Sequence, residues 1–168
     1  MRKLLYILIF ITLIDFTFSQ NIDSVKIHLI DKINDYRISK GKEKVIFNNY
    51  LTNTAKNHSD YTKNEFYEFS NKVISHIQNN TSNKYFLAKT PHDRCGCSEI
   101  TQKNTQTSQD KYYKNDERVA DIIFNLWKKS PPHNKAMLDD RYRYYGCGIS
   151  IKESSLGINI FTTIHFSH

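Results

Sequence analysis

The chain offers little of what usually makes chemistry easy to read. It has no apolar run long enough to cross a bilayer. Leu4 to Leu13 is almost wholly apolar but stops well short of the roughly 20 residues a spanning helix needs. That run follows a basic start, Met1-Arg2-Lys3, and precedes a polar exit, Asp15 to Gln20, with small residues at Thr17 and Ser19. This is the plan of a secretory signal peptide. Residues 1–19 are therefore expected to be a leader cleaved after Ser19, with residues 20–168 as a single domain. The competing reading is a retained N-terminal anchor. No cysteine follows the apolar run, which argues against a lipoprotein. The mature chain is expected to carry no transmembrane segment and to be secreted or extracytoplasmic, in a periplasm or on a cell surface.

Cysteine is scarce too: there are three, Cys95, Cys97 and Cys147. In an exported protein, one disulfide plus one free thiol is the simplest arithmetic. Cys95–Cys147 and Cys97–Cys147 both remain open, and all three thiols staying reduced and buried is the bland alternative. Either bridge would close a loop of about 50 residues, worth roughly 3–4 kcal/mol in the chain-entropy model. Without a second cysteine pair, zinc on Cys95-x-Cys97 is a weak reading. There is no lysine stripe either. The net charge is +7, and the loss of Arg2, Lys3 and Asp15 with the leader would leave +6. These charges are scattered among acids, so no nucleic-acid partner is expected. Weak attraction to an anionic envelope fits better. His-x3-His, His-Glu-x-x-His and Gly-x-Ser-x-Gly are all missing, and with them the commonest zinc-hydrolase and serine-hydrolase signatures. No repeat and no second domain can be seen.

What is present reads as helices followed by a hairpin. Ile22, Val25, Leu29, Ile33 and Tyr36 form one apolar stripe over Ile22 to Ser39, and Gly41 sits where that helix would stop. After an extended Val45-Ile46-Phe47, a second helix is expected from about Asn49 to Phe66. Residues 64–83 lose periodicity and read as a surface connection, with a turn or tip at Asn79 to Asn83. Thr90-Pro91 looks like a helix start. Ser98 to Gln102 reads as a short strand, and Lys103 to Asp110 as a loop. A third helix spans about Asp116 to Lys129 and is stopped by Pro131-Pro132, with a helical turn over Asn134 to Leu138. A strand follows at Tyr144 to Glu153, and Ile158 to Phe166 returns antiparallel. This order predicts an α+β fold with a small, mainly antiparallel sheet covered by helices.

Four segments resemble the CAP superfamily of cysteine-rich secretory, antigen 5 and pathogenesis-related 1 proteins, especially its shorter bacterial SCP-like members. Ile33-Asn34-x2-Arg37 with Gly41 is similar to the opening-helix motif. Leu51-x3-Ala55-x2-His58-Ser59 is similar to the second-helix motif. Ile74-Ser75-His76, Thr90-Pro91-x-Asp93-Arg94 and Ser98-Glu99-Ile100 follow the family order. So do Trp127-x2-Ser130-Pro131-Pro132-His133 and the Gly146-Cys147-Gly148 that lies thirteen residues on. The departures are Ser98 and Ile100 beside Glu99, Pro132 before the histidine, Ser130 in place of a glutamate, and His165 in a final strand that usually reads Trp-Thr-Gln-Val-Phe. Asn71 competes with His76 for the first histidine position.

The resemblance implies a three-layer α-β-α sandwich in which His76, Glu99 and His133 meet in a cleft walled by Trp127 and Ser130. Two imidazoles and a carboxylate suit Zn²⁺ or another divalent ion; they equally suit a hydrogen-bonded network without metal. Family members are associated with sterol or lipid binding. A lipid or an extracellular protein is therefore the expected partner, and an interaction or small-ligand module the expected role. The alternative is a metal- or thiol-dependent extracellular hydrolase with Cys97 near Glu99 as a candidate nucleophile. No residue is assigned a catalytic role. His58 reads as packed, His92 as solvent-facing, and Tyr142, Tyr144 and Tyr145 as core and cleft wall.

Overall fold

Helix α1, residues 22–39, forms around the expected stripe: Val25, Leu29, Ile30 and Ile33 are buried along one face. It ends at Gly41, whose φ of 71° lies in the left-handed region that glycine adopts at little cost. A computed structural model describes residues 22–65, 77–78, 81–82, 98–106, 115–154 and 157–168. After α1 the chain runs through β1, Ile46–Phe47, and α2, Asn49–Asn64. A two-stranded antiparallel pair follows, β2 at Ile77–Gln78 and β3 at Thr81–Ser82. Then come β4, Ser98–Gln106, α3, Asp116–Lys129, α4, Pro131–Met137, and the long strands β5, Tyr144–Ser154, and β6, Gly157–Ser167.

Helices α2 and α3 are capped in the ordinary way. Asn48 accepts from the Leu51 N–H, and Asn115 accepts from the Arg118 N–H, each cap worth about 1 kcal/mol. In α3, Asp116 and Glu117 lie in the first turn and Lys128 and Lys129 in the last, matching the helix dipole at both ends.

The main sheet has the order β1-β5-β6-β4. β1 is parallel to β5, pairing Ile46 with Tyr144, and the other neighbours are antiparallel. The sheet is thus mixed, and mainly antiparallel. Alternation divides its residues between two helical layers. Cys147, Ile149, Ile160, Ile164 and Phe166 pack with Leu29, Ile33, Ile123, Trp127 and Met137, so α1, α3 and α4 cover one face. Gly146 and Gly148 lie under α2 on the other. A Cβ on Gly146 would overlap the backbone of Leu51 and Thr52, and one on Gly148 the backbone of Ala55 and Lys56. The glycines are what let a helix rest on a strand without side chains between them.

Three expectations need correction. First, β4 does not stop at Gln102. Its register with β6 continues unbroken to Gln106 opposite Ile158. Strand pairing is made by backbone groups, and the polar run Lys103 to Gln106 carries no apolar alternation to announce it. Second, Thr81–Ser82 is a strand and not part of a tip. Third, the short helix begins at Pro131, not Asn134. Ser130 has extended backbone, as a residue before proline prefers. Its N–H bonds the Leu126 and Trp127 carbonyls, and its own carbonyl accepts from Asn134. It closes one helix and opens the next, and Pro131 sits where its missing N–H costs nothing. The Thr90-Pro91 segment lies outside the described residues.

Candidate functional site

The break at Ser130 and Pro131 places His133 in the first turn of α4. The ring is partly buried and edge-on to Trp127, with centroids 6.5 Å apart and planes at 75°. Trp127 is fully buried, and its indole N–H has no hydrogen-bond partner among the described residues. Trp127 is therefore core as much as wall. Of the tyrosines expected as core and cleft wall, Tyr142 is core, Tyr145 is half-buried and Tyr144 is 38% exposed. Ser130 serves the backbone junction, and its side chain makes no cap hydrogen bond.

The segment after His133 is fixed by a residue from the opening helix. Arg37 is fully buried. Its guanidinium donates to the carbonyls of Glu43 at 2.7 Å, Met137 at 2.6 Å, Asp139 at 3.2 Å and Tyr142 at 3.3 Å. Burial, which disfavours the charged form, lowers its pKa. Asn34, one turn earlier, holds Val45 by both its carbonyl and its N–H. The Asn34-x2-Arg37 motif is thus a clamp on two later segments of chain. Asp139 is locked in turn by Arg141, which donates from Nε at 2.9 Å and from Nη2 at 2.6 Å. Those hydrogen bonds hold the Asp139 carboxyl down at about 2.

Glu99 occupies a different part of the frame. On β4 it pairs with His165 of β6, which pairs with Gly146 of β5. His165 is fully buried, and its Nδ1 lies 2.9 Å from the Thr54 hydroxyl on α2. The whole α2 interface is unusually polar. Ser59 donates to the Gly148 carbonyl at 2.9 Å, and Ser150 donates to Asp60 at 2.8 Å. Lys56 and Lys63 also bond Asp60, and although burial works against the charged form, these hydrogen bonds lower its pKa. His58 is fully buried, with its ring stacked on Tyr61 at 6.2 Å, in keeping with the packed role expected of it.

The structure therefore puts His133 with Trp127 in one layer, and Glu99 in register with His165 of the α2 layer. His76, Asn71, His92, Cys95 and Cys97 lie outside the described residues. Among residues with described side chains, no three His, Cys, Asp or Glu come together; His76 and the Glu99 side chain are not in that set. Cys147 is a free thiol, so the bridges to Cys95 or Cys97 are not formed. It pairs with Ile164 on β6. Burial pushes its thiol up to about 12. His165 was the residue least visible in the sequence. Its one signal was a histidine alternating with Thr163 in a strand that departs from the expected pattern.

A family model settles the lineage: the cysteine-rich secretory protein family, CAP, matches residues 30–166. The chain belongs to the CAP family. Solved structures agree on the fold. It is similar to an outer surface protein from Borrelia burgdorferi at 18% identity and a TM-score of 0.60, covering 86% of this chain and 92% of that one. It is also similar to an extracellular SCP-domain protein from Bacillus anthracis at 17% identity and a TM-score of 0.50, covering 82% of this chain and 38% of that one. A cysteine-rich secretory protein from Staphylococcus aureus matches at 16% identity and a TM-score of 0.50, over 88% of this chain and 39% of that one. No curated protein matches. These CAP relatives are extracellular or surface proteins by description, and no described helix of this chain is long and apolar enough to cross a membrane.

Proposed function

We propose that this CAP protein is secreted after removal of residues 1–19 and acts as a non-catalytic module. It binds a small extracellular ligand, of the lipid class, in a cleft built on His76, Glu99 and His133, with Trp127 and Ser130 as wall. A divalent ion such as Zn²⁺ is held there by the two imidazoles and the carboxylate, a donor set that suits it.

The observation that carries this reading is the setting of His133. It stands on a proline-stiffened junction against a buried tryptophan, and the backbone behind it is held by the Arg37 guanidinium. An imidazole fixed by rigid neighbours can bind without reorganising first. The buried Trp127 N–H supports the same reading, since a buried donor without a partner costs about 1–3 kcal/mol and a ligand acceptor would relieve it. A thiol hydrolase would rest on Cys97, which lies outside the described residues; Cys147 does not serve it, because burial pushes its thiol up to about 12 and it supplies no thiolate at neutral pH.

Elemental analysis of the mature chain, purified without chelator, tests the metal. One equivalent of metal is expected, lost in both His76→Ala and His133→Ala. A metal-free wild type would sink the metal reading. Mass spectrometry of the same preparation tests the ligand: co-purifying lipid is expected, and its absence together with no uptake of added sterol would count against a lipid module.

A further inference from the structure

The geometry points to a second binding site, at the β1 edge of the main sheet, that takes a compact aromatic carboxylate. A cavity of about 320 Å³ opens there between α1, β1, α2 and the start of β5. None of its lining residues belongs to the His76, Glu99 and His133 cleft, so the inference stands apart from that reading. The space exists because β1 is short. Its two residues cover β5 at Tyr144 and Tyr145, and the chain then turns away into α2. A longer strand would have run on past Cys147. The cavity narrows from surface to core. Ile27 and Phe47 at its mouth are 59% and 57% exposed, whereas Ile30 and Cys147 at its floor are 7% and 4% exposed. Tyr145 makes the wall beside Phe47, their rings edge-on with centroids 6.1 Å apart.

The ligand class follows from size and lining. Ligand pockets run from about 300 to 1,000 Å³ and are mostly apolar, with a few polar groups that fix orientation. This one is at the small end, which suits a ring with a short arm and excludes a whole sterol. Two rings already meet edge to face in its wall, a packing that a third ring can continue. The Thr52 hydroxyl spends its proton on the Asn48 carbonyl at 3.1 Å and offers no donor. Lys26 is the cation in the lining. It pairs with Asp23 at 2.8 Å, but the Asp23 side chain is 72% exposed and that of Lys26 only 26%. The lysine stem thus lies along the apolar wall and carries its ammonium to the rim. At the Cys147 thiol, burial raises the pKa and the Lys26 charge partly offsets it, so the ammonium is close enough to act on the cavity floor. Its pair with Asp23 is a surface pair of small worth, and a ligand carboxylate can compete for it.

The test titrates the whole mature chain with phenylpropionate and with its neutral counterpart phenylpropanol, followed by heteronuclear NMR. The acid should bind about tenfold more tightly than the alcohol, with amide shifts centred on Lys26, Ile27, Phe47 and Tyr145. Lys26→Met keeps an unbranched stem and should abolish the preference for the acid. Asp23→Asn releases Lys26 and should tighten the acid by about two- to fivefold. A merely structural ion pair would move affinity in neither variant. Equal affinity for acid and alcohol overturns the assignment, as does acid binding unchanged in Lys26→Met. Shifts centred on His133, or no binding of the acid at millimolar concentration, overturn it too.

Discussion

Arg37 is a long, charged side chain with no exposed surface, and it spends its hydrogen bonds on backbone. Replacing it with methionine would keep most of the volume but leave the carbonyls of Glu43, Met137, Asp139 and Tyr142 without their donor. Removing one side of a buried charged network typically costs about 3–5 kcal/mol. Urea denaturation of Arg37→Met should show a loss of that size, and a change under about 1 kcal/mol would show that the clamp is dispensable. The motif was visible in the sequence as a spacing, but its purpose was not. The partners of Arg37 include main-chain atoms 100 residues away, and a carbonyl has no letter in a sequence. His165 stayed obscure for a related reason. Its hydroxyl partner, Thr54, lies on a helix 111 residues earlier, and only the strand register reveals Glu99 across from it.

At the level of elements, helices were the most legible part. The stripes Val25-Leu29-Ile33 and Val119-Ile123-Trp127 repeat at helical steps, and both are buried as expected. The hairpin of β5 and β6 was also clear from its β-prone runs. The far half of β4 was not, because an edge strand is held by backbone bonds that polar residues make as well as apolar ones. The meaning of Gly146 and Gly148 appeared only once α2 was in place above them. Gly148→Ala would drive a methyl group into the backbone of Ala55 and Lys56, which cannot swing aside as a side chain can. Overpacking of this kind usually costs about 1–3 kcal/mol, and more where nothing can move. A fall in melting temperature with altered near-UV ellipticity is expected. A wild-type melt would mean that α2 sits further from the strand than its backbone contacts imply.

Across the molecule the two faces of the sheet are unequal. One is sealed by an apolar layer of Leu29, Ile33, Ile123, Trp127, Met137, Ile149, Ile164 and Phe166. The other is sealed by α2 through Leu51, Ala55 and a set of hydroxyls and imidazoles, Ser59, Thr62, His58 and His165. Apolar burial stabilises by area, whereas hydrogen bonds give only a modest net gain over those made to water. The α2 layer should therefore open before the rest. Native-state hydrogen exchange is expected to give α2 amides a lower opening free energy than those of α3 and the β5–β6 pair. Equal protection in all of them would contradict this.

Cys147 has a consequence for how such a domain comes into being. Its thiol fills a place in the apolar layer beside Val25, Leu29 and Ile30 and forms no cross-link there. The centre of the sheet is thus held by packing alone, and its assembly waits on no oxidant. This layer can close in a reducing or an oxidising compartment alike, because its described thiol forms no bond that either would make or break.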